Sequence, residues 1–88
     1  MPIPYMLDVG FYNYVVTNQI VALVGSDSAP IRRLIQQLRN TGQVIDATQG
    51  RKTKCVIFTL ANQIVLSAMS QETLAKRLGS GESIGERE

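Results

Sequence analysis

Three short runs of apolar residues carry no polar interruption, and they restrict the possible folds more than any other feature of the chain. They are IVALV, CVIF and IVL, at Ile20–Val24, Cys55–Phe58 and Ile64–Leu66. A strand with one face in water alternates apolar and polar residues, whereas an uninterrupted run indicates a strand buried on both faces. The sequence therefore predicts a sheet whose central strands are covered on both sides.

Periodicity and turn signals predict six strands and two helices. The strands are predicted at Tyr5–Val9, Tyr14–Thr17, Ile20–Val24, Gln43–Asp46, Thr53–Thr59 and Ile64–Ala68. The first helix is predicted over residues 29–41, and its apolar stripe comprises Ile31, Leu34, Ile35 and Leu38. Ser70 is expected to cap a second helix that runs to about Leu78. The fold class is α+β, a small and mostly antiparallel sheet of five or six strands with two helices.

The chain is too short for its two helices to bury both faces of that sheet. A chain of 88 residues buries only roughly 60–65% of its unfolded surface, so small domains often need reinforcement. Two helices could cover one face of the sheet but hardly both. We therefore expect the chain to associate with itself, or to expose an apolar patch. Tyr12 and Tyr14 suit the edge of such an interface, or they fill the protomer's own core.

Residues 1–78 are expected to form a single domain, and residues 79–88 a disordered tail. The tail, GSGESIGERE, is rich in glycine, serine and charge, and is too polar to pack. The apolar runs are too short to span a bilayer, and no secretory signal is visible. A lone cysteine fits a reducing compartment, so we expect a cytoplasmic protein with no membrane partner.

Positive charge is concentrated in the middle of the chain. Between residues 32 and 54 a single acidic residue, Asp46, faces six cations, which are Arg32, Arg33, Arg39, Arg51, Lys52 and Lys54. A field of this kind attracts polyanions and speeds their encounter with the protein. The densest part is the loop that follows Gly50, immediately before an apolar strand.

The residues of this loop suit a phosphate. Gly50 can adopt a positive φ and let backbone N–H groups approach an oxygen closely. Arg51 offers a bidentate fork, and the two lysines offer point charges. If Thr53 begins the strand, Lys52 and Lys54 project to the same face. We therefore take Gly50, Arg51, Lys52 and Lys54 as candidate polyanion-binding residues, with Arg32 and Arg33 of the first helix as companions.

Plainer roles remain open for each of these residues. The loop can be a solvated hairpin whose cations keep a sheet edge soluble. The arginines can belong to a solvated helix face. Asp46 can cap nearby backbone as a turn residue, or it can pair with Arg51 and orient it.

Nothing in the sequence indicates an enzyme or a metal site. The chain has no histidine, one cysteine, and no close pair of acidic residues in the folded region, so general acid–base chemistry and metal ligation lack their usual groups. Cys55 stands in a strand and is expected to be a small buried hydrophobe. No cofactor and no small-molecule substrate are expected.

Two motifs carry a resemblance to a known family. They are SAPIRR, at residues 28–33, and DATQGRKTK, at residues 46–54. With the later IVLSAMSQETLAKRL, at residues 64–78, they resemble the RemA family, small bacterial regulators of extracellular-matrix genes. The resemblance runs from about Leu7 to Leu78.

The resemblance implies a transcriptional activator that binds double-stranded DNA without a helix-turn-helix. It also implies a ring-shaped homo-octamer of a LytTR-related fold, around which DNA wraps. The basic pair of the family's motif falls on Arg51 and Lys52. The chain departs from the family pattern at Gln19, where the family has an arginine that contacts phosphate or another subunit. Lys52 and Lys54 also replace arginines, which removes two bidentate forks.

Two further functions fit the same charges. The chain could be a homo-oligomeric scaffold that docks an acidic protein, or it could bind RNA. Phe11 and Phe58 are the only phenylalanines, so the chain has few side chains on which single-stranded bases could stack.

Overall fold

The computed structural model describes residues 6–80, which fold as six strands, one 3₁₀ turn and two α-helices in an α+β arrangement. The strands are β1 (Met6–Gly10), β2 (Asn13–Val16), β3 (Ile20–Gly25), β4 (Val44–Asp46), β5 (Cys55–Thr59) and β6 (Ile64–Ser67). The helices are α1 (Ala29–Leu38) and α2 (Gln71–Ser80). Each predicted strand and helix is present, with bounds that differ by a few residues, and Tyr5, the predicted start of the first strand, lies outside the described residues.

The described strands form two sheets rather than one sheet of five or six strands. Four strands pair in the order β3-β5-β6-β4, and β1 and β2 form a separate antiparallel hairpin. In the larger sheet only the β4–β6 pair is parallel. The strands are therefore mostly antiparallel, as the sequence predicts. The runs CVIF and IVL form the two central strands, which explains why both of their faces are apolar.

Helix α1 covers one face of the larger sheet. The Ser28 hydroxyl caps it by accepting the Ile31 N–H at 3.3 Å. Ile35 of its apolar stripe packs with Val56 and Leu66. The helix ends at Leu38 and not at 41, because both the N–H and the hydroxyl of Thr41 bond to the Leu38 carbonyl, at 3.1 and 2.6 Å.

The opposite face is covered within the same chain, which corrects the expectation that it needs a second copy. The β1–β2 hairpin does not extend the sheet but lies across it, and the Val9 carbonyl accepts the Ser67 hydroxyl at 2.8 Å. Leu7 and Val9 pack with Ile57 and with Leu74 of α2. The two helices therefore lie on different faces, and the central strands do not by themselves require self-association.

The end of α2 and the exposure of two tyrosines also differ from what the sequence predicts or leaves open. Helix α2 is capped by the Ser70 hydroxyl, which accepts the Thr73 N–H at 3.1 Å, and it continues through Ser80. Gly79 and Ser80 are thus helical, while the rest of the predicted tail, 81–88, lies outside the described residues. Tyr12 and Tyr14 do not fill the core, since they are 94% and 44% exposed.

Candidate functional site

The loop between β4 and β5 begins with a carboxylate that organises its first turn. Asp46 Oδ1 accepts two hydrogen bonds from Thr48, one from the N–H at 2.9 Å and one from the hydroxyl at 2.6 Å. Both bonds lower the pKa of the Asp46 carboxyl, the bond from the hydroxyl more than the bond from the N–H. Burial acts in the opposite direction, and the charge of Arg39 lowers the pKa by a smaller amount. Asp46 is therefore a turn residue, as predicted, and its ion-pair partner is Arg39, at 4.0 Å, and not Arg51.

A tight turn then delivers Arg51 to the surface. The Arg51 N–H donates to the Thr48 carbonyl at 3.0 Å. The two residues between them, Gln49 and Gly50, have φ of +54° and +80°. Apart from its two chain neighbours, no residue comes within 4 Å of the position that a Cβ would take on Gly50, so it is the backbone conformation that favours glycine there. Gly50 thus adopts the positive φ that its residue type allows.

The second half of the loop is held against the sheet. The Ser26 hydroxyl donates to the Thr53 carbonyl at 2.7 Å, and the Lys54 N–H donates to the Ser67 carbonyl at 2.8 Å. Strand β5 begins at Cys55 and not at Thr53. Lys52 and Lys54 therefore lie before the strand, and the alternation of side chains along a strand does not determine the face to which they project. Lys52 and Lys54 nevertheless line the same cleft and are both exposed.

That cleft carries the strongest positive charge of the loop. It has a volume of about 450 Å³, and its lining includes Phe11, Arg51, Lys52 and Lys54 but no acidic residue. The Arg51 guanidinium lies over the Phe11 ring, 5.6 Å from its centroid, a distance within the range of a cation–π contact. Three cations therefore surround an open space beside an aromatic ring.

A neighbouring cleft joins the loop to helix α1. It has a volume of about 260 Å³, and its lining includes the cations Arg32, Arg39 and Lys52 together with one acidic residue, Asp27. Arg33 does not line this cleft, although its side chain is exposed. The fold thus brings Arg32, but not Arg33, to the predicted site. We call the five residues Arg32, Arg39, Arg51, Lys52 and Lys54 the basic surface.

A third cleft limits the basic surface on the side of α2. Lys52 and Lys54 meet Asp27 and Glu72 around a space of about 420 Å³. The acidic side chains reduce the positive potential there. Asp27 also lines the cleft beside α1, so an anion is attracted most strongly to the cleft lined by Arg51, Lys52 and Lys54, whose lining has no acidic residue.

Two residues of the site were missed at the sequence level. In the sequence, Arg39 adds to the positive charge but is not among the candidate site residues, and Phe11 stands out only as one of two phenylalanines. The signal for Phe11 was its position in the segment GFYN, where aromatic residues occupy a two-residue turn that normally takes Asn-Gly. A local violation of this kind often marks a functional position.

The one cysteine of the chain lies in the core. Cys55 is fully buried in the core, as expected, and burial raises the pKa of its thiol. Within residues 6–80, no three cysteine or acidic side chains come together in a way that could hold a metal ion. Neither helix in this part of the chain is long and apolar enough to cross a membrane.

Comparison with known proteins identifies close relatives over nearly the same residues. A family model described as RemA-like, extracellular matrix regulatory protein A-like, matches residues 6–78. The chain is 47% identical over 79 residues to a protein of Thermoanaerobacter sp. (strain X514), covering 90% of this chain and 82% of the relative. It is also 47% identical over 79 residues to a Heliobacterium modesticaldum protein, with coverage of 90% and 87%. A Moorella thermoacetica protein is 47% identical over 83 residues, with coverage of 94% and 91%. All three are named "Putative regulatory protein".

Proposed function

The chain belongs to the RemA-like family of extracellular matrix regulatory proteins, and on that premise we propose that it is a transcriptional regulator that binds double-stranded DNA. The basic surface holds the phosphates, and several copies of the chain act together on one duplex. Such a regulator works on the chromosome, which places it in the cytoplasm.

The observation that carries the proposal is the convergence of cations from two elements. The loop contributes Arg51, Lys52 and Lys54, α1 contributes Arg32, and the residue that follows α1 contributes Arg39. Spaces between such side chains suit phosphate oxygens, because each cation offers a charge-assisted hydrogen bond. Contacts to phosphate position a protein on DNA without reading bases, so sequence preference would come from DNA bendability and from the spacing of repeated sites.

Self-association is the second part of the proposal. Away from the basic surface, apolar side chains remain exposed around a cleft of about 280 Å³ between β2 and β4, including Tyr14, Val16 and Ile45. Gln19, which departs from the family pattern, lines the same cleft. This position favours a contact between subunits over a phosphate contact for residue 19. A ring of LytTR-related protomers, octameric as in the family, is the assembly we propose.

Repetition explains how weak sites could yield useful affinity. One basic surface neutralises only a few phosphates, and each contact is weakened by salt. Several surfaces fixed on one assembly bind the same duplex as an intramolecular event, which raises the overall affinity without new contacts.

The test compares two arginines that differ in position but carry the same charge. In a duplex-DNA retardation titration, Arg51→Gln should lower the affinity by about ten-fold or more, since a bidentate charged contact is lost at every subunit. Arg33→Gln removes an equal charge outside the two basic clefts and should change the affinity by about two-fold at most. Equal effects of the two variants would mean that net charge alone drives binding, and an unchanged Arg51→Gln would rule out this loop as the site.

A competition experiment separates DNA from the other anionic partners. The parent protein bound to a labelled duplex is challenged with poly-glutamate and with single-stranded RNA of the same length. Duplex binding that survives both competitors supports the proposal. Displacement by poly-glutamate would favour a scaffold for acidic proteins. Displacement by RNA would favour RNA binding, although Phe58 packs in the core beside α1 and is poorly placed to stack on bases.

A further inference from the structure

The tip of the β1–β2 hairpin combines a costly backbone conformation with an exposed aromatic pair. Phe11 and Tyr12 have φ of +54° and +66°, directly after Gly10 at +105°. A two-residue hairpin turn with two positive φ values strongly prefers Asn-Gly, because other side chains clash with the backbone in this region. Phe11 and Tyr12 therefore occupy a turn in which neither residue type is favoured.

Hydrogen bonds from both strands hold the tip in this conformation. Asp8 Oδ1 accepts the Gly10 N–H at 2.9 Å, and Asn13 Nδ2 donates to the carbonyls of Gly10 and Phe11 at 3.0 and 3.2 Å. Arg77 of α2 fixes Asp8 in turn, with 3.4 Å between Nη1 and Oδ2. A strained turn persists only where its surroundings determine it in this way, and such turns cluster at functional sites.

The two aromatic side chains are placed differently with respect to the basic surface. Phe11 lies under the Arg51 guanidinium, at 5.6 Å, so the ring restricts the directions in which the guanidinium can point, while Arg51 itself remains exposed. Tyr12 is 94% exposed and is the next residue along the turn. Because Tyr12 is hardly buried, it adds almost nothing to the free energy of folding, and stability does not explain why a tyrosine stands at this position.

We propose that this tip is a second DNA-contacting element, in which Phe11 positions Arg51 on a phosphate and Tyr12 packs against the adjoining deoxyribose. This proposal rests on the proposed function and adds residues of another element to it. The occupant is chosen by charge and shape, since the cations beside the tip repel a basic partner. A sugar–phosphate backbone offers an anionic group and an apolar sugar face a few ångströms apart, which suits a turn that holds a guanidinium over Phe11 and exposes a tyrosine at the next residue.

Replacing Tyr12 by glycine separates function from stability. Tyr12→Gly relieves the left-handed strain, so the melting temperature should rise by several degrees. The same variant should bind duplex DNA about three- to ten-fold more weakly, the range expected for the loss of one aromatic contact. The matched control is Asn62→Gly, which changes another positive-φ residue (+61°) in the β5–β6 turn, at the far end of β5 from the loop, and should leave DNA binding unchanged.

A double-mutant cycle tests the role of Phe11. Phe11→Leu keeps an apolar side chain but removes the ring face, and it should weaken DNA binding by about two- to five-fold, as expected for an exposed cation–π contact. In an Arg51→Gln background the same change should have no further effect, because the group that Phe11 positions is gone. A purely structural role would instead lower the affinity equally in both backgrounds.

The outcomes distinguish this inference from the proposed function. If Arg51→Gln weakens binding while Tyr12→Gly and Phe11→Leu bind like the parent, the tip is not a contact and only the inference fails. If the parent does not bind duplex DNA, both fail. If Tyr12→Gly lowers the mass measured by light scattering, the tip contacts another copy of the chain and the inference is overturned.

Discussion

Asp46 shows how one side chain can organise a charged loop. Its carboxylate accepts both hydrogen bonds of Thr48 and lies 4.0 Å from Arg39. The first role fixes the start of the turn that carries Arg51, and the second holds an arginine of the basic surface near the loop. Because both interactions favour the ionised form, the pKa of Asp46 is lowered from its usual value.

The lowered pKa of Asp46 predicts a pH dependence of stability. A carboxyl whose pKa is lower in the folded state contributes stability above its unfolded pKa, near 4, and loses it as the pH falls through the folded value. The parent should therefore be more stable than Asp46→Asn at about pH 7, and the difference should shrink towards about pH 2. Chemical denaturation of both proteins across this range measures it. A difference that stays constant with pH would show that the charge of Asp46 is irrelevant.

The elements of the fold differ in how well the sequence predicts them. Strands and helices follow from local patterns, since uninterrupted apolar runs and the stripe around Ile35 depend only on neighbouring residues. Local patterns do not show which element covers which face of the sheet, because a buried residue such as Leu7 has the same sequence signature whatever it packs against. The position of the β1–β2 hairpin across the sheet depends on pairings distant in sequence, for example Ser67 with Val9.

The candidate site was predictable to a similar extent. The charges and the need for a glycine at residue 50 follow from residue type alone. The contact of Arg51 with Phe11 joins residues 40 positions apart, and the cleft that Lys52 shares with Arg32 depends on how α1 packs. The exclusion of Arg33 from that cleft likewise follows from the orientation of the helix and not from its composition.

Two glycines in different elements should respond to alanine with opposite signs. Gly50 lies in the loop at φ +80°, and Gly79 lies in α2. At both positions there is room for a methyl group, since apart from the chain neighbours, and the backbone of α2 itself around Gly79, nothing comes within 4 Å of the position that a Cβ would take. Gly50→Ala should lower the free energy of unfolding by about 1 kcal/mol, because alanine is strained at positive φ. Gly79→Ala should raise it by up to about 1 kcal/mol, because alanine favours the helix. Denaturant titration measures both, and a loss of stability in Gly79→Ala with none in Gly50→Ala would contradict the assigned backbone conformations.

The protomer as a unit presents two surfaces with different chemistry. The basic surface lies where β5 begins, whereas exposed apolar side chains surround the cleft between β2 and β4. Because the two surfaces are separate, copies of the chain can assemble through the apolar cleft while each copy leaves its basic surface free for DNA. In this account the affinity for DNA depends on both surfaces.

A charge placed in the apolar cleft should break the assembly and weaken DNA binding together. Ile45→Lys buries a lysine in the proposed interface, which costs several kcal/mol if the interface forms, while it adds a positive charge that would otherwise favour DNA. Light scattering should show a smaller assembly, and retardation should show weaker binding. Val21→Lys places the same charge on a residue that is 60% exposed and lies outside the cleft, and should change neither. An Ile45→Lys protein with the mass and affinity of the parent would exclude this cleft from the interface.

The salt dependence of duplex binding measures most directly whether several protomers grip the DNA at once. Each engaged phosphate contributes about −0.9 to the slope of log affinity against log salt concentration, so the five cations of one basic surface can give at most about −4.5. We expect a slope clearly steeper than about −4.5 for the parent protein. A slope of about −4.5 or shallower is what a single protomer can produce, and it would contradict the claim that DNA is held by repeated basic surfaces.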